Sequence, residues 1–145
     1  MLAAIRPGDW NLPLLVHVAG AMLVVGGLVV VAAATVAGRR RDADAAALTR
    51  LAFRTLLLGV LPSYVLMRGG AEWIASKQEW GDPAWIGIGY ATADGGLLLT
   101  IIATVVAWRG ARAPRGGGVT VVAALAGVML VAYVITVWAM TTKAG

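Results

Sequence analysis

Four stretches of this chain, residues 12–37, 48–70, 85–108 and 119–141, each stay apolar over about 20 residues, enough to cross a hydrocarbon core of about 30 Å at about 1.5 Å per residue. No other feature restricts the fold so strongly. Lipid offers no water to the peptide groups, so each stretch must satisfy its backbone internally, as a helix does. The chain has 145 residues, 60% of them apolar and 13% charged, and its mean hydropathy of +0.84 lies outside the range of soluble domains. The expected fold is all-α: a four-transmembrane-helix bundle forming a single integral membrane domain over residues 1–145.

The second stretch is the least apolar. Arg50 and Arg54 stand near its start, Arg68 near its end, and Pro62 interrupts it, so neighbouring helices must cover it and a kink is expected at the proline. Asn11 with Pro13, and Asp82 with Pro83, suit the N-cap and first turn of the first and third helices. Trp10, Trp85, Trp108 and Trp138 fall near the water interfaces, where an amphipathic ring is at home. Between the second and third stretches, Trp73, Lys77 and Trp80 recur at helical spacing, which predicts either a short interfacial helix or a loop anchored by two tryptophans.

The net charge of +5 comes from 12 Lys and Arg against 7 Asp and Glu. These cations flank the apolar stretches instead of lining a polar face, which excludes nucleic acid as a partner and makes them topology signals. Arg39, Arg40, Arg41, Arg50, Arg54, Arg109, Arg112 and Arg115 fall on one side, while Arg6, Arg68, Lys77 and Lys143 on the other are offset by Asp9, Glu72, Glu79 and Asp82. The expected protein crosses its membrane several times, with both termini outside the cytoplasm. The first stretch is too long for a cleaved signal and is followed by arginines, so it is read as a retained span. The basic runs also suit anionic lipid head groups, although orientation alone accounts for them. Cysteine is absent, which excludes thiolate metal sites and disulfides. No repeat relates the two halves, and no Walker loop, HExxH motif or Ser-His-Asp group marks a hydrolase.

Asp94 is the residue that most needs explaining. It lies nine residues beyond Trp85, or roughly 14 Å into the bilayer, where a carboxylate must be protonated, paired or facing water. Gly87, Tyr90, Ala91 and Leu98 share its face; Gly89 with Ala93, Ala91 with Gly95 and Thr92 with Gly96 have the spacing of close helix contacts, which places the third helix at the bundle centre. The lone histidine, His17, shares a face with Gly20, Ala21 and Val24 and is either a structural hydrogen-bonding residue or a ligand to metal or haem iron. Tyr64, Tyr90 and Tyr133 belong to the same outer half; Arg68 and Glu72, four apart, are spaced to pair; Met67 and Met140 offer thioether sulfur. Together these outline an outward polar pocket around His17, Tyr90 and Asp94. A proton relay from His17 to Asp94 would have to bridge a depth difference of about 7 Å through Tyr90 or a water.

In the first helix His17 is followed by VAGAMLVV and then Gly26 and Gly27. This resembles the first helix of small uncharacterised bacterial four-helix membrane proteins and of the copper-resistance D type of membrane domain, with Val24 where those families often carry a tryptophan. A second similarity, carried by His17 alone, is to four-helix haem-dependent protoporphyrinogen oxidases. The resemblance implies a bacterial cytoplasmic (inner) membrane as the location and haem b or copper as cofactor, ligated by His17.

Two readings of the activity stand side by side. One is a haem- or copper-binding membrane protein using His17 with Met67 or Met140; the other is a proton-coupled transport or accessory subunit using Asp94. A structural partner protein is a third, and the expected partners are the lipid bilayer and either a second copy or another membrane subunit. A reporter that works only outside the cytoplasm should be active when fused after Gly145 and silent when inserted after Arg112; the reverse pattern would overturn the orientation.

Overall fold

The structure is a computed structural model that describes residues 8–41, 44–77, 84–113 and 118–142. Arg6, Glu79, Trp80, Asp82, Pro83, Arg115 and Lys143, named above, lie outside the described residues. Four helices are long and apolar enough to cross a membrane. The first is Asn11–Arg40, the second runs continuously over Ala45–Ala75, the third is Ala84–Arg112 and the fourth Val119–Thr142. The fold is an all-α four-helix bundle, and among the described residues there is no strand.

Neighbours in sequence are neighbours in space: first against second, second against third, third against fourth, and fourth back against first. Arg40, Ala45, Arg112 and Val119 therefore gather at one end, the basic end, and Asn11, Ala75, Ala84 and Thr142 at the other, the terminal end. The first and second helices pack along their whole length, whereas the third meets the second mainly through the half nearest the basic end. The expectation of a central third helix is thereby corrected. Its small residues seat the fourth helix, while a direct approach of one helix backbone to another is made between the first and second.

That contact is at Gly20 and Gly70. A Cβ on Gly20 would run into the backbone of Met67, and one on Gly70 would lie 2.6 Å from the His17 nitrogen. Each glycine admits the other helix's main chain, and no larger residue permits this approach.

Buried positions recur at seven-residue spacing on every helix: Val24, Val31 and Gly38; Thr49, Leu56, Ser63 and Gly70; Ala93, Thr100 and Ala107; Val122, Met129 and Thr136. This is the spacing of left-handed, knobs-into-holes bundles. Most of these residues are small, while large ones such as Met22, Leu58, Val65, Leu98 and Val134 are exposed. Such a size pattern suits lipid, which competes with the core for large apolar groups but cannot match tight backbone packing. The buried Thr35, Thr49, Thr100, Thr104 and Thr136 each return their hydroxyl to the carbonyl four residues back, at 2.7 to 2.9 Å, so the dry core leaves none unbonded.

Pro62 has no N–H to offer the helix, and the turn ahead of it widens into a π-helix over Thr55–Val60. Ala52, Leu56 and Val60, four apart, all remain buried through this widening. The helical winding of the first span begins in a 3₁₀ turn at Gly8–Trp10, so Asn11 is already inside the first turn instead of capping it. Trp73 rides in the last turn of the second helix and Lys77 in the turn that follows, where its Nζ donates to Asp9 at 2.8 Å and ties the second helix to the start of the first. The remainder of the segment expected to form an interfacial helix, residues 78–83, lies outside the described residues.

The Gly20 and Gly70 contact predicts opposite results for two similar changes. Gly70→Ala forces a methyl against the His17 backbone and should lower stability by about 1–3 kcal/mol. Gly26, with nothing within 4 Å of its Cβ position, should tolerate alanine or gain up to about 1 kcal/mol from helix propensity. Reversible unfolding in mixed micelles measures both.

Candidate functional site

Tyr64, Arg68 and Glu72 lie four residues apart on the second helix and so share one face, as Tyr90 and Asp94 do on the third. At this end the two helix backbones scarcely touch, and the long Arg68 side chain fills the distance. Its Nη1 donates to Glu72 Oε1 one turn along the same helix, its Nε stands 3.8 Å from Asp94 Oδ1, and its guanidinium carbon sits 4.5 Å from the centre of the Tyr90 ring. One cation thus meets two carboxylates and an aromatic face. Arg68 is well covered, its side chain 29% exposed, whereas Asp94 is 68% exposed.

Asp94 is ten residues into the third helix, about 15 Å along its axis from Ala84. Of the three conditions that let a carboxylate persist there, the structure supplies pairing. Arg68 is the partner that sequence reasoning missed, because four-residue spacing advertises Arg68 with Glu72, whereas the approach of Asp94 depends on how two helices are turned toward each other.

The polar groups continue inward. Tyr64 is buried one turn below Arg68, within electrostatic reach of both Arg68 and Asp94, and Tyr133 on the fourth helix lies within reach of Tyr64. Tyr133 in turn lines a groove of about 280 Å³ between the third and fourth helices, with Thr92, Gly96 and Met129 among its walls. A Cβ on Gly96 would stand 3.0 Å from the Tyr133 hydroxyl, so this glycine gives the phenol its place. Two hydrogen bonds close the same interface: Thr136 to Thr92 at 2.7 Å and Thr100 to the Met129 sulfur at 3.3 Å. These threonine and methionine contacts were also not anticipated; the paired spacing of Thr92 and Gly96 was the signal for them.

His17 belongs to a different face. Its Nδ1 lies 2.8 Å from the Met67 carbonyl oxygen. A carbonyl can only accept, so Nδ1 carries the proton and, in the neutral ring, Nε2 keeps its lone pair. It is therefore the Met67 backbone that meets the imidazole. Met140 packs its methyl against the Cβ position of Gly89, at the seam of the third and fourth helices. His17 makes no hydrogen bond with Tyr90 or Asp94, because the first helix packs against the second and fourth, and Arg68 already occupies the space beside Tyr90. Among the described residues no three His, Asp or Glu side chains gather as a metal-binding set.

If Arg68 and Asp94 act as a pair, their effects on stability must be coupled. Arg68→Gln and Asp94→Asn combined should cost less than the sum of the separate changes, with a coupling of about 1 kcal/mol in a double-mutant cycle; strict additivity would show that the 3.8 Å approach carries no energy. No family model, curated protein or solved structure matches this chain, so what the site does has to be read from its own chemistry.

Proposed function

We propose that this is a multi-pass protein of a bacterial cytoplasmic membrane, with both termini outside, that serves as a proton-linked transport or accessory subunit through Asp94. The observation that supports it is the charge count of the cluster: one cation, Arg68, stands between two carboxylates, Glu72 and Asp94, within helical spans. An unbalanced charge is costly away from water, so the cluster is completed by one more positive charge. Asp94 is the group placed to take it. Glu72 holds Arg68 in the close pair, while Asp94 stands off at 3.8 Å with most of its surface open.

A proton on Asp94 leaves Arg68 to Glu72; its departure makes Arg68 serve both carboxylates. The exchange alternately loosens and tightens the link between the second and third helices, at the end where little else joins them. The test is proton flux in vesicles of the reconstituted protein under an imposed pH gradient. Asp94→Asn should abolish flux above background while helicity and elution volume stay unchanged, and undiminished flux in that variant would overturn the reading.

The bond from His17 to the Met67 carbonyl favours a second reading, in keeping with the resemblance of the first helix to the copper-resistance D type of domain. A fixed Nδ1–H presents Nε2 as a ligand of defined orientation. This donor set fits haem, which needs a single imidazole on one face and would supply electron transfer when bound, better than copper, since the sequence holds no second histidine and no cysteine to complete a copper site. Protein expressed with haem available should then show a Soret band that is lost in His17→Ala. A spectrum without that band, or one unchanged by the substitution, would eliminate haem ligation by His17.

A further inference from the structure

The two ends of the bundle treat their cations differently. At the terminal end Arg68 is matched by Glu72 and Asp94, and Lys77 by Asp9. At the basic end Arg39, Arg40, Arg41, Arg50, Arg54, Arg109 and Arg112 make no ion pair with a carboxylate among the described residues, where Asp44 is the one acid nearby. Arg112 stacks on Trp108 at 4.1 Å. Arg50 and Arg54 have neither an acid nor an aromatic face among the described residues.

These two arginines frame a hollow of about 270 Å³ together with Ala47 and Leu51. The four positions follow one another at steps of three, one and three, which puts them on a single face of the second helix. That face points away from the bundle, since the buried residues of this segment are Ala45, Thr49 and Ala52. Ala47 keeps the floor low. Toward the middle of the span the surface turns apolar, with Leu58 72% exposed and Leu51 and Leu57 also open. Arg50 donates its Nε–H to the Ala46 carbonyl at 3.3 Å on the exposed surface, a bond that uses one of the five guanidinium N–H donors.

We infer that this hollow binds the head group of an anionic phospholipid, with Arg50 and Arg54 on the phosphate and the leucine column along an acyl chain. Paired guanidiniums match phosphate oxygens in geometry and charge, and basic residues beside a span attract anionic lipid. Selectivity for anionic lipid then resides in two arginines out of the larger basic group.

Native mass spectrometry of the full chain in detergent, titrated with phosphatidylglycerol, phosphatidylcholine or inorganic phosphate, tests it. The unsubstituted protein should retain phosphatidylglycerol in preference to phosphatidylcholine. Arg50→Gln with Arg54→Gln should weaken that retention about tenfold or more, while Arg39→Gln with Arg40→Gln, which removes the same charge outside the hollow, should leave it within about twofold. Equal losses in both double variants would reduce the effect to a general positive field and overturn the site. Retention of the two lipids to the same extent, or phosphate competing with phosphatidylglycerol at equal concentration, would overturn it as well.

Discussion

Much of this structure follows from the approach of two helix backbones at Gly20 and Gly70. With no side chain on either, the first and second helices come within reach of main-chain contact, and the imidazole of His17 finds the Met67 carbonyl at 2.8 Å. Gly70 lies between Arg68 and Glu72 on the second helix, so seating it against the first turns Tyr64, Arg68 and Glu72 toward the third. The tight contact on one side of the second helix is what leaves a bridge of side chains on the other. In lipid this is where packing energy can be gained, since a leucine is as comfortable against an acyl chain as against another leucine.

The polar groups follow a consistent logic. Each buried threonine is answered by its own helix, so threonines can sit in the seams without demanding a partner, and two of them join the third and fourth helices through Thr92 and Met129. Charges are treated according to their end. Where Arg68 lies within a span, its counter-charges are built into the protein; where arginines ring the basic end, the counter-charge is left to the surroundings. The proton proposed for Asp94 and the lipid phosphate proposed for Arg50 and Arg54 both complete a charge balance that the chain leaves unfinished.

How much of this was legible can be seen residue by residue. The apolar run of residues 48–70 understates the second helix, which runs over Ala45–Ala75, because Arg50, Arg54, Arg68 and Glu72 lower the hydropathy before the helix itself ends, while long charged side chains let their backbone stay helical near an interface. Pro62 announces a local break in the helix, and the backbone widens just before it. Asp94 stands out in the sequence as a lone acid deep in an apolar run, and the Arg68–Glu72 pair is legible because four-residue spacing is a local property. That Arg68 also reaches Asp94, that His17 turns to Met67 and not to Tyr90, and that the third helix lies to one side were not legible, because each depends on the rotation and separation of whole helices.

Sequence alone determined that four helices form and about where they begin and end, since the length of an apolar run and the need of every peptide group for a partner are written in the residues themselves. Tertiary structure alone decided which face of each helix turns inward. In a soluble bundle an apolar stripe announces that face. Along the apolar middle of the spans the lipid side is as apolar as the core, so hydrophobicity gives little direction there, and the choice fell to small residues such as Gly20, Gly70 and Gly96 that allow close approach and to Arg68, which spans the remaining gap to Asp94.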